Sequence, residues 1–291
     1  TALQILVAPF LEDEATVAVG GTIRLVNGAE ATRHRVERLR APKGWLVGAQ
    51  VVEYGRAFLI GRLGWNLLGG NLIISGAFGL FRRSSVLEVG GYESDSIGED
   101  MELVVRLRRR AYEGGHPARV VFEPDPVAFT EAPASLGTLA RQRNRWFRGL
   151  LDVLVRHRRM MGNPRYGSAG MLALPYFLVV EALAPLIEIV GLFLVALGVI
   201  TGAIGNDELS LVAGAYLLGM CATLLVMLLD QVVWVSYDST RDRVRMLGHV
   251  VFEQLVFRPA TIVWRLWGFK LFLEGRTEWG VQRRQGFSTG S

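Results

Sequence analysis

A carboxylate able to act as a base lies about forty residues before a group of guanidinium, amide and indole side chains able to hold phosphate oxygens and a flat apolar ring face. The carboxylates are Glu99 and Asp100, at the front of a helical pattern. Met101, Leu103, Val104 and Leu107 form its apolar stripe, and Arg106, Arg108, Arg109 and Arg110 its other face and basic end. Ser96-Ile97-Gly98-Glu99 has the S-x-x-E form of a capping box, which predicts Ser96 as N-cap with Glu99 reaching back to it. Asp100 is then left over, either to complement the helix dipole or to take a proton. The second group is Gln142, Arg143, Arg145 and Trp146, within Arg141–Arg148 and preceded by Thr130-Glu131-Ala132-Pro133. On a helix, Gln142 and Arg145 fall three apart on one face beside Trp146. Guanidinium forks match phosphate oxygens, and an indole is a platform for the apolar face of a sugar ring. The same residues would also suit a basic amphipathic helix at a membrane surface.

Gly98-Glu99-Asp100 followed by Gln142-x-x-Arg145-Trp146 resembles the E-D and Q-x-x-R-W signatures of the processive, membrane-embedded family-2 glycosyltransferases, the group of cellulose, chitin, hyaluronan and poly-N-acetylglucosamine synthases. Ser75-Gly76-Ala77-Phe78-Gly79-Leu80-Phe81-Arg82-Arg83 and Gly90-Gly91-Tyr92 resemble the acceptor-side segment of that family, and the resemblance continues into the hydrophobic helices. It implies an α/β fold of partial GT-A type followed by an α-helical transmembrane domain. It also implies inverting transfer from a nucleotide-sugar, a UDP-sugar, to a growing polysaccharide or glycan acceptor at the cytoplasmic face of the inner (plasma) membrane. Carried over by position, Asp100 is the base. Gln142, Arg143 and Arg145 border the donor diphosphate, and Trp146, Glu99, Gly76, Ala77 and Phe78 the acceptor. Family members hold Mg2+ or Mn2+ through a D-x-D motif, which does not stand ahead of the first helix here. We therefore expect the nucleotide-binding half and its metal ligands to lie outside this chain. Glu12-Asp13-Glu14 precedes a strand instead of ending one and reads as a solvated turn. A non-catalytic membrane scaffold subunit of a polysaccharide synthase or secretion complex is the alternative reading.

The elements that must position these residues follow from periodicity. Ala2–Phe10 predicts a short helix, and Thr16–Gly21 a buried strand closed by glycines. Residues 45–68 predict an amphipathic helix whose Glu53, Arg56 and Arg62 pack under the site. Leu72-Ile73-Ile74 predicts a strand, as does Arg119–Phe122, ended by Glu123-Pro124-Asp125-Pro126. His116 reads as a loop residue without chemistry. Four sections result: 1–148, the C-terminal part of the catalytic domain; 149–168, an interfacial amphipathic helix; 169–237, a transmembrane hairpin; and 238–291, a membrane-associated helix and cytoplasmic tail.

Composition agrees with a membrane-associated chain. Of 291 residues, 51% are hydrophobic, and the mean hydropathy is +0.30. The net charge of +5 comes from arginines beside apolar runs, which suits lipid headgroups and a sugar-nucleotide phosphate and not nucleic acid. Met171–Ile204 and Ser210–Leu229 are long enough to span a bilayer. The loop between them has no Lys or Arg, whereas arginines flank the outer ends, so the positive-inside rule puts the loop outside. Glu181 and Glu188, seven apart, and Asp230 would face either a polysaccharide channel or basic partners within a helix bundle. Val250–Leu273 carries charges throughout and reads as an interfacial or broken helix. The single cysteine, Cys221, reads as a packing residue. Trp279-Gly280-Val281-Gln282-Arg283-Arg284 resembles a terminal Trp/Arg element of related synthases.

Overall fold

The computed structural model describes residues 1–27, 29–31, 36–233, 237 and 239–276; the Trp279–Arg284 element lies outside them. After helix α1 (Ala2–Glu12), strand β1 (Thr16–Leu25) forms the centre of a three-stranded mixed sheet. It runs antiparallel to one neighbour, Gly79–Phe81, and parallel to the other, Arg119–Thr130. Between these lie a two-residue strand β2 (Glu30–Ala31) paired with β3 (Val36–Arg38), which makes the sheet strands β4 (Gly79–Phe81) and β5 (Arg119–Thr130).

Three strand expectations need correction. β1 does not close at Gly20-Gly21 but continues to Leu25. Glycine is required there because neighbours pack on bare backbone: a Cβ on Gly20 would lie 3.0 Å from Ile74, and one on Gly21 only 2.3 Å from the Phe78 ring. β5 does not end at its prolines. The ladder re-registers, from Gly20 opposite Phe122 to Thr22 opposite Val127, so the residues lacking N–H fall in the irregularity. Thr22 Oγ1 donates to the Pro124 carbonyl at 2.8 Å across that gap. Leu72-Ile73-Ile74 joins no ladder; the Leu72 and Ile74 side chains are buried.

The expected 45–68 helix is α2 (Trp45–Arg56), a π-helical stretch Ala57–Arg62 and α3 (Leu63–Leu67) in succession. After α4 (Arg83–Glu88), α5 (Glu99–Glu113) packs Leu103, Val104 and Leu107 against Val17, Ala18 and Val120 of the sheet. Helix α6 (Leu136–Arg156) is capped by Ser135, whose hydroxyl accepts from Thr138 N at 3.3 Å. It passes unbroken through the expected boundary at 148/149. The apolar residues read as an interfacial face, Leu151, Val153 and Leu154, are instead buried with Met101 and Val105 of α5. Arg156 is spent on Asp95 and Asp152.

Two helices are long and apolar enough to cross a membrane, α8 (Ala184–Thr201) and α9 (Asn206–Val233). They follow the short α7 (Leu174–Tyr176) and precede α10 (Thr240–Phe252) and α11 (Arg258–Leu273). α8 packs on α11 and α9 on α2 and α10, so the two make their main contacts elsewhere than with each other. Cys221 is exposed on α9, not packed. Glu181 lies in a π-helical segment, Phe177–Ala182, and Glu188 in α8 after it, so the two belong to separate segments. Glu181 pairs with Arg265 at 3.0 Å and Asp230 with Arg24 at 2.7 Å. Of the charges in residues 250–273, Glu253 and Arg265 pair with Arg56 and Glu181, whereas Arg258 and Lys270 are exposed; α11 lies along α6.

Candidate active site

Asp100 occupies the first turn of α5, as expected, but the capping box does not form. The helix begins at Glu99 with Gly98 as N-cap and no side-chain cap, while Ser96 Oγ donates to Asp152 Oδ2 of α6 at 2.9 Å. Asp100 is half-buried and held by two backbone donors: Met101 N–H to Oδ1 at 2.8 Å and Gly76 N–H to Oδ2 at 3.2 Å. Those bonds fix the carboxylate's orientation while leaving lone pairs for a third partner. Glu99 lies next to it, and the exposed Tyr92 lies within electrostatic reach. Partial burial, then the charges of Asp100 and Glu99, push the Tyr92 phenol above its ordinary pKa.

What sets α5 against α6 is a contact between two glycines. A Cβ on Gly98 would sit 3.0 Å from the Gly149 backbone, and one on Gly149 2.9 Å from Gly98 Cα. Sequence reasoning missed this contact, whose only signal was a glycine inside a strongly helical run. At 1.5 Å rise per residue, Arg145 lies about 6 Å and Gln142 about 10 Å along α6 from that contact. The fold therefore draws the two clusters to one region. Trp146 is 41% exposed, with the Arg143 guanidinium 4.7 Å over its ring. Gln142 Oε1 is buried with no hydrogen-bond partner among the described residues, a group that a ligand donor would satisfy.

Two of the expected site residues have other duties. Arg143 gives both terminal nitrogens to Glu53 of α2, at 2.7 and 2.5 Å, so its fork is committed to a carboxylate and not open to a diphosphate. Phe78 packs inward, against Val19 and Val121 on one side and Phe58 and Phe122 on the other, which leaves Gly76 and Ala77 as the exposed part of that turn. For a divalent cation the described residues do not fit. They contain no group of three or more His, Cys, Asp or Glu that could hold one. Asp13 is occupied by Ala15 N–H at 2.9 Å and by Arg119 at 3.3 Å, as a surface turn requires.

The family model described as "Glycosyl transferase family group 2" matches residues 40–229, which contain both clusters. The chain belongs to this family. It is a glycosyltransferase, and its mixed sheet with flanking helices is the α/β part of a GT-A type fold. Poly-beta-1,6-N-acetyl-D-glucosamine synthase of Staphylococcus aureus (strain COL) is 36% identical over 121 residues, 41% of this chain and 27% of that protein. The synthase of the same name from Staphylococcus epidermidis is 31% identical over 119 residues, again 41% and 27%. The chain thus matches about a quarter of the length of these curated relatives. A solved structure, "Mannosyltransferase PcManGT from Pyrobaculum calidifontis in complex with GDP-Man and Mn2+", is similar with a TM-score of 0.47 and 16% identity, covering 89% of this chain and 56% of that one.

Proposed function

We propose that this glycosyltransferase chain supplies the acceptor side of an inverting sugar transfer, at the cytoplasmic face of a membrane that α8 and α9 cross. The observation that carries the reading is the Asp100 carboxylate, oriented by the Gly76 and Met101 amides and set by the Gly98–Gly149 contact against the helix of Gln142, Arg145 and Trp146. Asp100 accepts the proton of an acceptor hydroxyl as its oxygen bonds to the anomeric carbon and the bond from that carbon to the nucleoside diphosphate breaks. Arg145 offsets charge on the departing diphosphate. Trp146 stacks on the acceptor sugar, with Arg143 and Glu53 fixing its ring from behind. A divalent cation would be held by residues other than those described. The likeness to poly-beta-1,6-N-acetyl-D-glucosamine synthases supports a UDP-N-acetylglucosamine donor and a growing β-linked glycan as acceptor. Residues 149–156 belong with the catalytic part, and the membrane portion begins after them.

The test is Asp100→Asn in the full-length, membrane-purified protein. Turnover should fall on the order of a hundredfold or more with donor binding retained. Near-normal polymer synthesis would rule out the base assignment. Absence of transfer by the full-length protein, with the residues that hold the cation present, under every donor condition would favour the scaffold reading.

A further inference from the structure

Beside Asp100 the fold holds a second charged group that the transfer reading leaves unused. Arg62 closes the π-helical stretch after α2 and points into a small pocket with Gly20, Gly21, Asn71, Ile74 and Ser75. Its guanidinium lies 5.3 Å over the Phe58 ring. Among the described residues it has no hydrogen-bond acceptor and no ion-pair partner. The other arginines beneath the site differ: Arg24, Arg56 and Arg143 each grip a carboxylate. Burial brings the Arg62 pKa down to about 10, and the nearby Asp100 charge partly opposes that fall. The side chain is only partly buried, so its five N–H donors remain open to a ligand that offers acceptors. An unpaired guanidinium beside the Asp100 charge is thus placed to meet an oxygen-rich ligand at the surface.

Which ligand follows from position. Ser75 lines the Arg62 pocket, and the next residue, Gly76, donates its N–H to Asp100, so the cation and the base stand on either side of one turn. In an inverting displacement the base and the leaving diphosphate lie on opposite sides of the anomeric carbon. A group on the base's side meets the acceptor. A diphosphate placed there would also be repelled by the carboxylate. We infer that Arg62 is a positioning residue for the acceptor glycan: its guanidinium donates to hydroxyl or carbonyl oxygens of the terminal acceptor sugar and aligns the attacking hydroxyl with Asp100.

This inference rests on the transfer reading, and two independent measurements separate them. Arg62→Met keeps most of the apolar stem but removes the donors and the guanidinium's contact with Phe58, while Arg62→Lys keeps a charge without the fork. In the membrane-purified protein, Arg62→Met should raise the acceptor KM about tenfold or more, leave the donor KM within about twofold, and melt close to the wild type; Arg62→Lys should fall between. Calorimetry with a short soluble β-linked N-acetylglucosamine oligosaccharide should show the same weakening without turnover. An unchanged acceptor KM and oligosaccharide affinity in Arg62→Met would overturn the assignment, as would an equal rise in the donor KM. If the wild type transfers no sugar yet binds the oligosaccharide through Arg62, the catalytic reading fails and this one stands.

Discussion

Gly149→Ala should separate the stability of this protein from its activity. The added Cβ would lie 2.9 Å from Gly98 Cα, 3.0 Å from Gly98 N and 3.3 Å from the Ile97 carbonyl carbon. Comfortable carbon contacts are about 3.5–4.0 Å, so the two helices must part by roughly 0.6–1 Å. The atoms met are backbone and cannot rotate away. Overpacking of this kind costs about 1–3 kcal/mol, whereas replacing glycine by alanine within a helix returns up to about 1 kcal/mol. The net loss of stability should be about 0–2 kcal/mol, little for a core of this size. Activity should suffer more, because the displaced element carries Asp100 on one side and Gln142, Arg145 and Trp146 on the other. A shift of about 1 Å between reacting groups is worth on the order of a hundredfold in rate. The assay is sugar incorporation by purified protein beside its thermal melt in detergent. Gly64→Ala is the control: that helical glycine has open space where a Cβ would go, so it should be neutral or stabilising by up to about 1 kcal/mol with unchanged turnover. A Gly149→Ala variant within about twofold of wild-type turnover would refute the claim that this contact sets the site.

Division of labour on α6 is tested by Arg145→Ala, which should weaken nucleotide-sugar binding, and Trp146→Ala, which should mainly impair acceptor use; identical donor defects in both would overturn the division. Burial first of all holds the His249 pKa below its ordinary value, despite an Nε2 contact to the Pro42 carbonyl at 2.9 Å. The unfolded chain then binds a proton that the folded one resists, so stability should be full above about pH 6.5 and decline as pH falls below it. Melting curves between about pH 8 and 5 should show the decline in wild type and a weaker one in His249→Gln; a melt independent of pH would count against it. For topology, Asn206→Cys in a Cys221→Ser background should react with an impermeant thiol reagent from outside intact cells and Ser239→Cys should not, the reverse pattern overturning the orientation.

Much of the site was legible because its chemistry is local. Glu99 and Asp100 sit at a helix start that periodicity alone finds, and Gln142, Arg145 and Trp146 share a face at helical spacing. What was not legible depends on long-range contact. Ser96 fits a capping box by spacing, but its hydroxyl finds Asp152, 56 residues away, and the backbone at Gly98 starts the helix instead. Arg143 looks like a phosphate ligand until Glu53, 90 residues earlier, takes both its nitrogens. Gly20, Gly21, Pro124 and Pro126 read as strand breakers because turn statistics price an isolated chain. In the sheet, the glycines admit Ile74 and Phe78, and the prolines occupy an irregularity where no N–H is needed. The α6 boundary failed for a related reason: alternating arginines and apolar residues describe a lipid-facing helix and a core helix equally well, and only Met101 and Val105 decide between them.

The helices after the sheet are more than an anchor, because two bidentate arginine–carboxylate pairs tie them to the α/β part and a third pair carries the link on from α2 to α6. Arg24 of β1 grips Asp230 near the end of α9, Arg56 of α2 grips Glu253 in the π-helical segment before α11, and Arg143 of α6 grips Glu53 of α2. Removing one partner of such a pair leaves a partly buried charge without its counter-ion, which costs several kcal/mol where burial is deepest, as at Glu253. α2 takes part in two of the three pairs, and the segment that continues it ends at Arg62. Any shift of α9 or α11 is thus transmitted to the helix that positions the proposed acceptor contact, and through Glu53 to Arg143 and Trp146. If α8 and α9 lie in a bilayer, lipid packing and acceptor geometry are mechanically linked through α2. Excising residues after α6 would then strip Arg56 and Arg24 of their counter-ions and disturb the acceptor side before it touched Asp100, whose two amide donors come from within the α/β part itself.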